Sequence, residues 1–195
     1  MSGPPQDAAD AGLRIAAGLE RAGLPYALGG ALALGAHGVP RGTLDVDVNL
    51  FVPEARLPEG TACLRALGIE VDEAAARARA RIDGMFVGTW AGIRIDVFVP
   101  SIPFSDEAER TRVRLTDPGR TSVWFLSAEA LAVFKLLFFR RKDLADLERL
   151  LAVQGPALDH GCVRTWIADM MGEDDERTRA WGRLVEESGS SSRWA

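Results

Sequence analysis

The stretch LGGALALGAHGVPRGTLDVDVNL, Leu28 to Leu50, decides how the rest of the chain is read. Asp45 and Asp47 stand two apart in the alternating segment Leu44 to Val52, so a strand sends both carboxylates out of one face. Two adjacent carboxylates repel, and leaving them uncompensated on an apolar sheet is costly. A hard divalent cation removes that penalty, and magnesium favours a few carboxylates combined with phosphate oxygens. Upstream, Tyr26 to Leu28 reads as a short strand broken by Gly29-Gly30, with a short helix from Ala31 to Ala36. Glycines at such a junction let backbone N–H groups approach phosphate oxygens. The plainer reading of Gly29-Gly30 is a turn, and that of Asp45-Val46-Asp47 is a polar strand end.

Further along, IRIDVFV places Asp96 in an otherwise apolar strand, Ile93 to Val99. An aspartate there needs a partner, either a backbone hydrogen bond in the core or a cation shared with other carboxylates. If this strand neighbours the first, Asp45, Asp47 and Asp96 converge as two-metal phosphoryl or nucleotidyl transfer requires. Met85 to Trp90 pairs with Ile93 to Val99 through Ala91-Gly92, a tight hairpin signal. Asp7 to Ala22 and Leu57 to Leu67 read as helices. Arg112 to Leu115 and Ser122 to Leu126 read as short extended pieces around an Asp117-Pro118-Gly119 turn. From Ser127 onward the pattern is helical: Ala128 to Phe139, Asp143 to Val153, Gly161 to Met171 and Asp174 to Glu187.

This ensemble resembles the nucleotidyltransferase superfamily related to DNA polymerase β. The resemblance covers about Tyr26 to Val99 and rests on Gly29-Gly30, Asp45-Val46-Asp47 and Asp96, with Arg41 and Thr43 matching an R-x-T-x-D-x-D form. A narrower resemblance lies in EALAVFKLLFFRRKDLADLERLL, Glu129 to Leu151, which looks like the lysine helix and following aspartate of abortive-infection type nucleotidyltransferase toxins. It implies Lys135 near the triphosphate and Asp146 as the later acidic residue, with Asp143 competing for that role. On their residues alone, Lys135 could be a snorkelling helix lysine, Asp143 a helix cap and Asp146 a solvated residue. His37, just before Gly38, reads as a helix C-cap residue rather than a ligand.

The resemblance implies an α+β fold, a small mixed sheet flanked by helices and followed by a C-terminal helical segment. The expected organisation is a catalytic core over 1–126, a helical region packed on it over 127–188, and a flexible tail over 189–195. The implied activity is transfer of a nucleoside monophosphate from a nucleoside triphosphate to an acceptor hydroxyl. Asp45, Asp47 and Asp96 would hold two magnesium ions, with manganese as a substitute, and Gly29, Gly30, Arg41, Thr43, Lys135 and Asp146 would serve the nucleotide. The implied acceptors are tRNA or protein, with a cognate antitoxin as partner. An aminoglycoside-type small molecule, or a non-catalytic regulatory protein of the same fold, are the other readings. Lys135 sits among apolar neighbours, so its charge needs a counter-charge, expected from the carboxylate cleft or the nucleotide.

Composition bounds these readings. The chain has 195 residues and a net charge of −5, so it is not broadly attractive to nucleic acid. Its basic residues are 21 arginines and two lysines, Lys135 and Lys142. Cys63 and Cys162 lack metal spacing and read as reduced thiols, consistent with a cytoplasmic protein that does not enter the membrane. There is no G-x-x-x-x-G-K-[ST], G-x-S-x-G or H-E-x-x-H motif, which sets aside P-loop, serine-hydrolase and zincin chemistry.

Overall fold

Alternation of buried and half-exposed residues along the strands explains how the sheet acquires two different faces. A computed structural model describes residues 3–116 and 122–191. Their elements are α1 (Ala8–Arg21), β1 (Tyr26–Leu28), α2 (Gly30–Ala36), β2 (Asp45–Leu50), α3 (Leu57–Ala66), α4 (Glu73–Asp83), β3 (Met85–Trp90), β4 (Ile93–Phe98), α5 (Ser105–Arg110), β5 (Val113–Thr116), β6 (Ser122–Phe125), α6 (Ala128–Phe138), α7 (Arg141–Gln154), α8 (His160–Met171) and α9 (Glu176–Ser191). The class is α+β, as expected, with one mixed six-stranded sheet in the order β3-β4-β2-β1-β6-β5. The chain divides into two compact units: Met1–Leu32 with Gly42–Leu126, and Ala33–Arg41 with Ser127–Ala195.

In the first unit β2 lies parallel to β4 and antiparallel to β1, while β3 and β4 form the expected hairpin. That hairpin turns through Ala91 at φ 51° and Gly92 at φ 84°, the paired positive φ values that follow strand twist. Val46, Val48, Ile95, Val97, Leu28 and Phe86 point to one face and form the buried core. α1 packs against β1, β2 and β6, and α4 against β3. Each such side chain withdrawn from water contributes about 1.5–3 kcal/mol, enough to fix the register. With the register fixed, Asp45, Asp47 and Asp96 must occupy the opposite face.

Helix α4 is an addition to what the pattern suggested. Asp72 caps it by accepting from the Ala75 N–H at 3.0 Å, and Gly84 ends it in the left-handed region at φ 67°. Its buried residues are Ala76 and Ala80, so it carries no stripe of large apolar side chains to betray it. Helix α5, on SDEAER, was likewise not expected. β5 and β6 pair antiparallel, and the Asp117-Pro118-Gly119 turn between them lies outside the described residues.

The second unit is helical. α6 packs against α7 and α8, and α9 against α7 and α8. Leu131, Val133, Leu147, Leu150, Ile167 and Trp181 are buried there. The Trp181 indole N–H donates to the His160 carbonyl at 3.0 Å. α9 continues to Ser191, so the tail expected to start at 189 is entered by helix for three residues. Among the described residues no helix is long and apolar enough to cross a membrane.

Candidate active site

Strand β2 sets two carboxylates on the face away from the core, and β4 adds the third. The β2–β4 register places Asp47 opposite Asp96 and Asp45 opposite Arg94. Parallel neighbours are about 4.8 Å apart, so Asp47 and Asp96 stand side by side on one face. Asp45, Asp47 and Asp96 are all half-buried.

Each carboxylate has a local setting that the sequence did not reveal. Thr43 folds back on Asp45: its hydroxyl donates to the Asp45 carboxylate and accepts the Asp45 N–H at 3.4 Å. These contacts hold the Asp45 carboxylate against Thr43. Asp96 accepts a hydrogen bond from Arg94 Nε at 2.8 Å. Arg94 and Asp96 are two apart on one strand and share its face, a signal readable in IRIDVFV. Asp47 packs on the backbone of Gly30. A Cβ at Gly30 would lie 1.7 Å from Asp47 Oδ2, and Gly30 also has φ 52°. Glycine is thus required twice, for conformation and to leave room for the carboxylate.

Gly29 has a task within the sheet. Its N–H donates to the Asp47 carbonyl at 2.9 Å, extending the β1–β2 ladder by one residue. That amide is engaged in the sheet.

The donor set fits magnesium: three carboxylates from two adjacent strands share one face. Among the described residues, no group of three His, Cys, Asp or Glu side chains is gathered closely enough to hold an ion as it stands. Asp96 accepts instead from Arg94, and Asp45 from Thr43. Like charges also separate when no cation joins them.

A second charged cluster lies within the helical unit. Lys135 is 4% exposed, and its Nζ donates to Asp146 Oδ2 at 2.7 Å and lies 3.5 Å from Asp143 Oδ1. Arg41 Nε is 3.2 Å from Asp146 Oδ1. Asp143 also accepts the Arg140 N–H at 3.2 Å and Arg140 Nε at 2.7 Å, closing the first turn of α7. Burial opposes the Asp143 charge, but the Arg140 hydrogen bond and the Lys135 charge outweigh it and hold its pKa below the ordinary carboxylate value. Asp146 and Asp143 thus give Lys135 counter-charges within its own unit. Asp146 is buried instead of solvated, and both aspartates serve the lysine. Lys142, on the first turn of α7, is exposed. His37 belongs to the C-terminal turn of α2, as expected, with Gly38 following at φ 87°. Its carbonyl accepts from Gln154 Nε2 at 2.7 Å.

The architecture is the nucleotidyltransferase fold. A crystal structure of an antigenic nucleotidyltransferase-like protein from Paracoccidioides brasiliensis superposes with a TM-score of 0.54 at 17% identity, covering 98% of this chain and 94% of that one. Two structures of the antibiotic-resistance factor ANT(2'')-Ia are looser matches. The solution structure aligns at a TM-score of 0.47 and 18% identity, over 92% of this chain and 90% of that one. The crystal structure in complex with adenylyl-2"-tobramycin aligns at 0.48 and 20%, over 93% and 95%. At 17% identity the first of these likenesses speaks to the fold. No protein-family model and no curated protein sequence matches the chain.

Proposed function

We propose that this protein is a magnesium-dependent nucleotidyltransferase that moves a nucleoside monophosphate from a nucleoside triphosphate to an acceptor hydroxyl. The observation that carries the reading is the register of β2 and β4, which sets Asp47 beside Asp96 with Asp45 on the same face. Chance alternation could put one carboxylate there. Three on two parallel neighbours, in this fold, match the needs of phosphate chemistry better than those of a folded core.

Asp45 and Asp47 would hold both ions, and Asp96 would hold the one beside the attacking hydroxyl. When bound, magnesium supplies charge stabilisation to the phosphates. The chain's own residues do the rest. Thr43 keeps the Asp45 carboxylate turned to the site. Gly30 admits the Asp47 carboxylate, and its backbone offers close approach to a phosphate oxygen. Asp96 assists loss of the acceptor hydroxyl proton. The acceptor oxygen then bonds to the α-phosphorus, the bond from that phosphorus to the bridging oxygen breaks, and pyrophosphate leaves.

The test is incubation of the full chain with magnesium and each α-labelled nucleoside triphosphate, in three arms containing bulk tRNA, protein extract or tobramycin. Label that becomes covalently attached in any arm, and that disappears in Asp47→Ala, supports the reading and names the acceptor class. Absence of label in every arm, together with undiminished triphosphate, sinks it in favour of a nucleotide-binding protein of the same fold.

A further inference from the structure

Strands β2, β3 and β4 carry a single basic residue, Arg94, and its guanidinium donates to Asp96. We propose that Arg94 is a built-in counter-ion of the Asp96 metal position, displaced when the second divalent ion binds. This inference rests on the metal-dependent reading above.

Position and chemistry both support it. Arg94 lies opposite Asp45 and two residues before Asp96, so its side chain rises from the face that carries all three carboxylates. The β3 residues of the same face, Met85, Val87 and Thr89, are uncharged. One strand further out, Glu70 bridges to Thr89 and adds negative charge rather than relieving it. Arg94 is therefore the cation that this part of the sheet supplies from its own strands. It offsets the repulsion between Asp96 and Asp47 while no ion is present.

The pair is built to be broken. The Arg94 side chain is 58% exposed and that of Asp96 14%. An ion pair with one member so exposed is weak and screened by salt. A divalent ion competing for Asp96 can replace it, and the freed guanidinium swings into water at little cost. Binding at the Asp96 position then carries a cost of its own. Asp45 takes its hydrogen bond from the neutral Thr43 hydroxyl. The ion at Asp96 must first displace Arg94. A triphosphate bound nearby offers the guanidinium another anion. Nucleotide would thus draw Arg94 off Asp96 and strengthen the second metal position, and the coupling is reciprocal.

Manganese titrations of the whole protein, followed by electron paramagnetic resonance, test this with wild type, Arg94→Gln and Arg94→Lys. Each is titrated with and without a triphosphate analogue carrying a methylene between its α and β phosphorus atoms. Without nucleotide, the weaker manganese site should tighten about fivefold in Arg94→Gln, the size of a lost exposed ion pair. The gain should shrink at high salt. Arg94→Lys should behave as wild type. The analogue should tighten the weaker site in wild type and have little further effect in Arg94→Gln. An unchanged or weakened site in Arg94→Gln overturns the counter-ion role, even if wild type transfers nucleotide normally. Failure of wild type to bind manganese under any condition overturns both this role and the metal-dependent reading. Because Arg94 is exposed, its variants should melt near wild type, and Arg94→Met provides a second check that tightening follows loss of charge.

Discussion

Asp96 and Asp146 each accept a hydrogen bond from a basic side chain, Asp96 from Arg94 at 2.8 Å and Asp146 from Lys135 at 2.7 Å. Their surroundings differ. The Asp146 side chain is 2% exposed and is also engaged by Arg41, while Lys135 has Asp143 as a second acid. Asp96 has one arginine that is more than half in water, and two further carboxylates share its face. Within the helical unit, Lys135 pairs with Asp143 and Asp146, and all three are buried. On the sheet three carboxylates share one half-buried face, and Arg94, the partner of Asp96, lies mostly in solvent. Matched buried charge holds a fold in one arrangement, whereas unmatched accessible charge of one sign is what a ligand of opposite sign can complete.

The largest effect that would sharpen this contrast is on the sheet. Asp47→Ala should lower magnesium-dependent nucleotide transfer by about a thousandfold or more, as expected when a group holding both ions is lost. Without metal the variant should melt at the wild-type temperature or slightly above, because a repulsive neighbour has gone. A melting temperature well below wild type would make Asp47 structural and erase the contrast.

Removing one partner from the buried cluster should do the reverse. Asp146→Ala leaves Lys135 and Arg41 short of a counter-charge and should cost about 3–5 kcal/mol in denaturant unfolding. Replacing both members, as in Lys135→Met with Asp146→Leu, should recover most of that loss. If the single variant were as stable as wild type but inactive, the helical cluster would belong with the functional charges.

Gly30→Ala joins the two kinds of effect. The left-handed backbone costs an alanine about 1 kcal/mol, and its Cβ falls on the Asp47 carboxylate. A loss of about 2 kcal/mol in stability should accompany weakened manganese binding, measured on the same sample. Normal manganese affinity would show that Asp47 can take another position.

The smallest effect concerns pH. The folded-state pKa of Asp143 is depressed, so its contribution to stability is present above the ordinary carboxylate value of 3.8 and is lost as the pH falls through the lower folded value. Asp143→Asn should be about 1 kcal/mol less stable than wild type at pH 6. The gap should close on acidification below 3.8. A gap that persisted in acid would place the role of Asp143 in shape rather than charge.

Much of the fold was readable in the sequence. Alternation in DVDVNL and IRIDVF, punctuated by Gly29-Gly30 and Ala91-Gly92, gave the strands and the shared face of Asp45 and Asp47. Helix α4 escaped notice because its buried contacts are alanines, and no large apolar residue marks the period. Helix α9 ran past its expected end because serine and glycine weaken a helix without forbidding one.

The sequence by itself determined which residues can carry charge and which strand face each occupies, since a period of two is a local property of the backbone. Tertiary structure decided who stands beside whom. The parallel register of β2 and β4 put Asp47 next to Asp96 across a separation of 49 positions in the chain. The packing of α6 and α7 gave Lys135 to Asp146 and Asp143. Pairing between elements depends on which apolar faces bury together, and that is a property of the whole core that no single stretch of sequence contains.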